Sequence, residues 1–232
     1  MKVVILAGGF GSRISEYSKK IPKPMITVGD KPLLWHIMKT YSKHNFNDFI
    51  IALGYKGQII KNYFKSKKFG WNIQLVNTGV NSMTGGRILR LKEFLSDDTF
   101  MVTYGDGLAN INIKKLLSFH KKNKKMVTVT AVRPPARFGS IEIKNNIATN
   151  FREKSSLDVG WINGGFFVIE RKFLKHIKND KTILEKEPLI NAAKQRQLAA
   201  FKHNSFWQCM DTKRDLDLLR SHWKKNTAKW LK

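Results

Sequence analysis

Residues 1–25 read MKVVILAGGFGSRISEYSKKIPKPM, and this stretch decides the fold. A short apolar run over residues 2–6 predicts a buried strand, and glycines follow at positions 8, 9 and 11. Arg13 comes next, and Lys23 lies between two prolines. Glycine has no Cβ, so the backbone N–H groups of such a loop can approach a ligand closely. Together with two cations they suit a phosphate chain, so the stretch indicates an enzyme that handles nucleotides.

Two well-known glycine-rich patterns differ from this loop. The P-loop pattern G-x-x-x-x-G-K-[ST] is absent from the sequence,. The dinucleotide pattern would begin at Gly9, but Ile14 stands where its third glycine belongs, and Asp30 lies in a turn rather than after a second strand,. A ligand-free turn between strand and helix is the alternative for the glycines alone, and Arg13 with Lys23 argues against it.

The composition is that of a globular chain of 232 residues, with 42% hydrophobic and 26% charged residues, which is enough for one large domain. No apolar run approaches the roughly 18 residues of a transmembrane helix, and residues 3–7 are too few for a signal-peptide core. Cys209 is the single cysteine, which excludes an internal disulfide and a thiolate metal cluster,. We therefore expect a cytoplasmic protein without membrane insertion.

The formal net charge of the chain is +26. Such a charge is typical of proteins that bind nucleic acids or anionic membranes. Here the basic residues are mostly lysines spread along the whole chain, and we interpret them as solvated surface, with no specific nucleic acid expected. A nucleic-acid-binding protein is the alternative from another class. The same field would attract nucleoside triphosphates and sugar phosphates.

Strands alternate with short helices in the first half, which predicts an α/β fold with a mostly parallel sheet covered on both faces. The ligand of such a sheet lies outside the carboxyl ends of its strands, where the glycine loop and Asp106 both belong. Residues 139–143, 147–151 and 161–169 predict a small additional antiparallel layer. The other predicted strands are 49–53, 72–76, 99–103, 126–132 and 198–202, and the predicted helices are 33–43, 58–64, 87–95, 113–121, 172–178, 184–195 and 213–224.

Two aspartates are candidate metal ligands. Asp106 lies between two glycines after an apolar strand, where a carboxylate either forms the turn or holds Mg²⁺ for phosphoryl or nucleotidyl transfer. Asp211 precedes the last predicted helix, where it either caps the helix or supplies a second ligand. Residues 82–87, SMTGGR, form either a second ligand-binding loop or a helix start. Glycines after Asn163 predict a bulge or a close backbone approach.

The glycine loop together with Pro22-Lys23-Pro24-Met25 resembles the opening of the sugar-1-phosphate nucleotidylyltransferases. Motifs over almost the whole chain are similar to the glucose-1-phosphate cytidylyltransferase branch of that family. They include Gly54-Tyr55-Lys56-Gly57, Met83-Thr84-Gly85-Gly86-Arg87, Thr103-Tyr104-Gly105-Asp106-Gly107, Pro135-x-Arg137-Phe138-Gly139, Ile162-Asn163-Gly164-Gly165, Glu187-Pro188-Leu189 and Met210-Asp211-Thr212.

This resemblance implies a glycosyltransferase-A-like nucleotidyltransferase fold, with a Rossmann-like sheet. It implies one domain over residues 1–232, in which 1–133 bind the nucleotide and 134–232 bind the sugar phosphate. The implied reaction joins CTP and glucose 1-phosphate into CDP-glucose and pyrophosphate with Mg²⁺, in polysaccharide biosynthesis. The family also implies a homo-oligomer.

The resemblance further implies a role for each matching residue. Arg13 and Lys23 would be catalytic, and Asp106 and Asp211 would hold Mg²⁺. Lys154, Asn163 and Glu187 would bind the sugar phosphate. The nucleotide would contact Leu6, Ala7, Gly8, Gly9, Gly11, Ser12, Thr84, Gly85, Arg87 and Gly105.

Two departures leave the substrate pair open. The branch carries a longer segment where this chain has only residues 65–70, and its Glu-Lys-Pro reads Glu153-Lys154-Ser155 here. A UTP- or dTTP-dependent enzyme, acting on another hexose or heptose phosphate, is therefore the nearest alternative. A regulator that only binds sugar nucleotides is a further class, which the presence of both cations and both aspartates argues against.

Overall fold

The computed structural model describes residues 1–135, 138–153 and 160–231. A central seven-stranded sheet with helices on both faces confirms the predicted α/β fold. The strands are β1 Val3–Ala7, β2 Thr27–Val28, β3 Lys31–Pro32, β4 Asp48–Leu53, β5 Asn72–Asn77, β6 Thr99–Tyr104, β7 Gly107–Ala109, β8 Val127–Val132, β9 Ser140–Lys144, β10 Ile147–Arg152, β11 Ile162–Glu170, β12 Leu198–His203 and β13 Trp207–Cys209.

The α-helices differ from the predicted ones in four places. The short helix over residues 15–18 was not predicted, and the helix predicted over 184–195 begins only at residue 187. The predicted helix 87–95 begins earlier and ends in a separate 3₁₀ turn, and the predicted helix 172–178 is a 3₁₀ helix. The α-helices are α1 Ser15–Ser18, α2 Leu33–Ser42, α3 Gly57–Lys65, α4 Thr84–Leu89, α5 Ile113–Asn123, α6 Glu187–Lys194 and α7 Lys213–Lys224. The 3₁₀ helices are Ser12–Ile14, Lys23–Met25, Lys92–Phe94, Arg171–His176 and Lys229–Leu231.

The strand order of the large sheet is β12-β8-β11-β6-β1-β4-β5. β1 pairs in parallel with both β4 and β6, and β11 runs antiparallel to β6 and β8. The chain therefore builds outward from β1 through β4 to β5 and then returns to the other side of β1. Ligands of open α/β sheets bind at such a reversal, outside the carboxyl ends of the strands. Here that point lies between the ends of β1 and β6.

Side chains of β1 alternate between two cores. Val3 and Ile5 pack under α2, α3, α5 and α7, whereas Val4 and Leu6 pack under α4, α6 and the 3₁₀ helix Arg171–His176. Successive residues of a strand point to opposite faces, so a run that is apolar at every position indicates burial on both sides. The sheet is therefore rigidly enclosed, and its carboxyl edge can position loops.

The predicted antiparallel layer is only partly correct. β9 and β10 form a separate two-stranded sheet, as expected, but β11 belongs to the central sheet between β6 and β8. The register of β11 against β8 shifts between Asn163 and Phe167, which confirms the predicted irregularity at the glycines. No helix in the described residues is long and apolar enough to cross a membrane.

Candidate active site

A cleft of about 850 Å³ opens at the carboxyl ends of β1 and β6. The glycine loop after β1 forms one wall, and residues 80–84 before and at the start of α4 form another. The strand end at Asn163 and the segment 207–211 complete it. Most of the residues predicted from the sequence line this cleft; they are Leu6, Ala7, Gly8, Gly9, Gly11, Ser12, Arg13, Lys23, Thr84, Arg87, Gly105, Asp106, Asn163 and Asp211.

A short strand pair brings the two aspartates together. β7 directly follows Asp106 and pairs antiparallel with β13, with Gly107 opposite Cys209. The backbone N–H of Met210 donates to the carbonyl of Asp106 over 2.9 Å. Asp211 therefore lies beside Asp106, although 105 positions separate them in the sequence.

Both carboxylates bind the same buried ammonium group. Lys23 Nζ donates to Asp106 Oδ2 over 2.7 Å and to Asp211 Oδ1 over 2.6 Å, and Arg13 donates to the other oxygen of Asp211. Burial opposes the charge of Lys23, but the two carboxylates outweigh it and raise its pKa. Burial also opposes the charge of Asp211, and Lys23 with Arg13 nevertheless lowers its pKa. Lys23 and Asp211 therefore both favour their ionised forms near neutral pH.

The acidic pair fits a hard divalent cation. Ligand atoms of Asp106, Asp211 and Cys209 lie within 4.8 Å of one another. Burial, and then the neighbouring Asp106 charge, raises the pKa of the Cys209 thiol, which leaves it protonated and a poor ligand,. Two carboxylates without a thiolate suit Mg²⁺, which prefers oxygen ligands and shares them with substrate phosphates.

Arg87 lies behind the glycine loop and is buried. Its guanidinium donates to the carbonyls of Gly8 over 2.9 Å, Gly79 over 2.6 Å and Val80 over 3.0 Å, and to the Thr78 hydroxyl over 2.9 Å. It thereby ties the loop after β1 to the loop after β5. Burial lowers its pKa, although an arginine stays charged,.

Gly8 and Gly9 occur in the loop for two different reasons. A Cβ on Gly8 would lie 2.2 Å from Arg87 Nη1, so glycine is needed there for the arginine to pass. A Cβ on Gly9 would meet no atom within 4 Å. Packing within the protein therefore explains Gly8, whereas Gly9 faces open space in the cleft.

Thr84, Glu185, Tyr104 and Asn163 form a hydrogen-bonded chain across the cleft. Thr84 Oγ1 donates to Glu185 Oε2 over 2.6 Å, and the Tyr104 hydroxyl donates to Glu185 Oε1. Asn163 Nδ2 donates to the Tyr104 oxygen over 3.0 Å. Burial, followed by the Glu185 charge, raises the pKa of Tyr104, so its hydroxyl keeps the proton that it donates.

Two predicted site residues lie away from the cleft, and a third lies outside the described residues. Glu187 is exposed on α6 and pairs with Lys178 over 3.1 Å. Gly85 is buried against the carbonyl of Thr182, which a Cβ would approach to 2.8 Å. Lys154 lies outside the described residues, as does Arg137 of the quoted motif. The geometry therefore does not support a substrate contact for Glu187.

The helix-cap alternatives are also resolved. Thr212 caps α7 in a reciprocal hydrogen-bond pair with Asp215, so the interpretation of Asp211 as the cap is wrong. Thr84 is the first residue of α4 rather than its cap, and its hydroxyl bonds Glu185 instead. The sequence reasoning did not single out Glu185, Tyr104 or Trp207, which all line the cleft. Nothing in the local sequence distinguishes Glu185 from the nearby Glu187 as a site residue.

A family model described as "Nucleotidyl transferase" matches residues 2–227. The chain belongs to the nucleotidyl transferase family. The chain is 46% identical to the glucose-1-phosphate cytidylyltransferase of Salmonella typhimurium, over 99% of this chain and 98% of the relative. It is 41% identical to a probable glucose-1-phosphate cytidylyltransferase of Bacillus subtilis, over 99% of both chains.

Solved nucleotidyl transferase structures share the fold. A UDP-glucose pyrophosphorylase in complex with UDP-glucose superposes with a TM-score of 0.75 at 16% identity, covering 97% of this chain and 98% of that one. The likeness at this identity concerns the fold alone. It agrees with the parallel sheet and the cleft at its carboxyl edge.

Proposed function

We propose that this nucleotidyl transferase joins CTP and glucose 1-phosphate into CDP-glucose and pyrophosphate. One observation carries the proposal: two cations and two carboxylates meet within hydrogen-bond distance beside the glycine loop, in one cleft. The choice of CTP and glucose 1-phosphate rests on the full-length relatives, which bear the name of that activity. The specific motifs around Thr84 and Asn163 point the same way.

The transfer needs positioning and charge neutralisation more than covalent help from the protein. A phosphate oxygen of glucose 1-phosphate forms a bond to the α-phosphorus of CTP while the bond to pyrophosphate breaks on the opposite side. Arg13 and Lys23 are placed to neutralise the phosphates as the leaving group gains charge. The glycine loop and Thr84 line the nucleotide side of the cleft, and Asn163 lines the sugar-phosphate side.

Asp106 and Asp211 would hold the metal, which we propose is Mg²⁺. The ion would supply positive charge to the phosphate oxygens of the reacting nucleotide. Lys23 bridges both carboxylates and orients them toward one point. We also propose that residues 1–133 serve the nucleotide and 134–232 the sugar phosphate within one domain. A cytoplasmic homo-oligomer that supplies polysaccharide biosynthesis completes the proposal.

A pyrophosphate-release screen tests the reaction. The protein is incubated with Mg²⁺ and each combination of ATP, GTP, CTP, UTP or dTTP with several sugar 1-phosphates. We expect release to be fastest with CTP and glucose 1-phosphate. Release with UTP or dTTP but not with CTP would correct the base. No release with any pair would overturn the proposed reaction.

Asp106→Asn tests the metal ligands. The substitution removes a charge while preserving the shape of the side chain, so we expect kcat to fall by at least about 100-fold, with the protein still folded. Asp217→Asn is the matched control, because Asp217 is exposed on α7 and, among the described residues, pairs with Lys213. Near-normal turnover of Asp106→Asn would remove this carboxylate from the metal site.

A further inference from the structure

The sugar side of the cleft contains the carboxylate of Glu185, which lies apart from the two aspartates. Glu185 lies just before α6, lines the cleft and is half-buried. It is held from two sides, by the Thr84 hydroxyl over 2.6 Å and by the Tyr104 hydroxyl. A long side chain loses rotamer freedom when it is ordered, and here two anchors from different loops have already fixed it.

The hydrogen-bonding capacity of Glu185 exceeds these two anchors. An ionised carboxylate is an acceptor only, with about four lone-pair positions, and Thr84 with Tyr104 occupies two. Because the residue lines the cleft, its remaining positions suit donors on a ligand. A phosphate group carries negative charge and would be repelled, whereas hydroxyl groups of a neutral ring are donors. The chemistry of Glu185 therefore matches the polyhydroxyl part of a substrate.

The neighbours of Glu185 favour the hexose over the ribose of the nucleotide. Tyr104, which anchors Glu185, also accepts a hydrogen bond from Asn163 over 3.0 Å. Trp207 lines the same cleft and donates through its ring N–H to the carbonyl of Gly164, next to Asn163, over 2.8 Å. An aromatic ring beside fixed polar groups is a common arrangement in small-molecule sites.

We propose that Glu185, fixed by Thr84 and Tyr104, accepts hydrogen bonds from hydroxyl groups of the sugar ring and so selects the sugar. This inference rests on the proposed function and replaces Glu187, which pairs with Lys178 outside the cleft. Thr84 also begins α4, on the nucleotide side. One carboxylate thus connects the nucleotide loop with the residues that face the sugar.

Steady-state kinetics of Glu185→Gln test the proposal, with Glu93→Gln as an exposed control of the same chemistry. A charge-assisted hydrogen bond is lost, so we expect KM for glucose 1-phosphate to rise at least about 10-fold. We expect KM for CTP to stay within about two-fold. Wild type should also discriminate glucose 1-phosphate from its monodeoxy analogues, and Glu185→Gln should lose that discrimination at one hydroxyl position. Tyr104→Phe, which removes one anchor, should raise the same KM less.

The outcomes separate this inference from the proposed function. A wild type that releases no pyrophosphate overturns the proposed function before Glu185 is considered. An active wild type with an unchanged sugar KM in Glu185→Gln overturns the role of Glu185 alone. A rise only in KM for CTP assigns the carboxylate to the ribose, and an effect in Glu187→Gln instead restores the sequence-based assignment; both contradict the inference. If thermal unfolding shows that Glu185→Gln does not fold, Glu185→Asp carries the test, since it keeps the charge at a shorter reach and should still raise KM for the sugar.

Discussion

Arg87 shows how one side chain can shape a binding loop without lying at its surface. The guanidinium is buried and reaches backbone oxygens on the loops after β1 and β5. A buried carbonyl that loses its donor costs about 1–3 kcal/mol, so these bonds matter for stability as well as for loop shape. The side chain therefore holds both loops in position.

Arg87→Lys should damage both stability and nucleotide binding. A single ammonium group cannot reach acceptors on both loops, so we expect the free energy of unfolding to fall by at least about 2 kcal/mol. We also expect KM for CTP to rise about 10-fold while KM for glucose 1-phosphate changes less. Urea unfolding and steady-state kinetics measure the two effects.

Arg90→Lys is the matched control for Arg87→Lys. Arg90 follows α4 directly and is exposed, with its guanidinium paired to Asp180 over 2.7 Å. Exposed ion pairs contribute about 0–1 kcal/mol, so this variant should be nearly as stable as wild type. Equal losses in the two variants would contradict the positioning role of Arg87.

The sequence predicted which single residues could serve in a site, but it did not predict which residues they contact. Asp106 follows a predicted strand and Asp211 precedes a predicted helix, and the structure brings them together. The sequence also predicts Arg87 as a ligand of the nucleotide, and this stays a prediction. Its hydrogen bonds to oxygens of both loops leave no local signal in the sequence. Glu185 was missed for the same reason, since its partners Thr84 and Tyr104 lie 101 and 81 positions away.

At the scale of elements, α2 is fastened to the C-terminal 3₁₀ helix through a histidine. His36 is fully buried, and its Nε2 lies 2.9 Å from the carbonyl of Val28. Trp230 donates its ring N–H to His36 Nδ1 over 3.2 Å. These partners require a neutral imidazole with its proton on Nε2, and burial lowers the pKa of His36.

Acid should therefore weaken this packing. Below the unfolded-state pKa of about 6.5, His36 binds a proton in the unfolded chain but stays neutral in the folded chain. The free energy of unfolding therefore falls by up to about 1.4 kcal/mol for each pH unit. Burial lowers the pKa of His44 and His203 in the same direction. Urea unfolding at about pH 7.5 and 5.5 should show that His36→Gln loses less stability than wild type. Equal losses in wild type and His36→Gln would mean that His36 does not cause the loss of stability in acid.

Periodicity predicted the regular elements well, and long-range pairing explains the errors. The prediction for α7 matches residues 213–224, where apolar positions recur at helical spacing. β11 was placed in a separate layer because two glycines interrupt its apolar pattern. Its neighbours in the sheet, β6 and β8, are distant in the sequence, and the local sequence does not indicate which distant strands pair.

At the scale of the whole molecule, the charge of +26 should influence how anionic substrates reach the cleft. We expect kcat/KM to fall several-fold as NaCl rises from about 20 to about 200 mM, because added ions screen the field. The value of kcat at saturating substrate should change little. Initial rates at both salt concentrations measure this effect.

A surface variant isolates the field from the site. Lys115, Lys121 and Lys122 are exposed on α5, and none of them lines the cleft. Replacing all three with glutamate lowers the net charge by six and should flatten the salt dependence without altering kcat. An unchanged salt dependence would mean that only charges inside the cleft act on the substrates.

The pairing of β7 with β13 has a consequence for how the protein is made. A ribosome adds the glycine loop before Asp106, and it adds Asp211 105 positions after Asp106. Domains often begin to fold while synthesis proceeds, yet here the second carboxylate is added long after the loop that lies beside it. A nascent chain therefore contains the glycine loop long before both carboxylates of the acidic pair are present, and a fragment that ends before Asp211 would lack one of them.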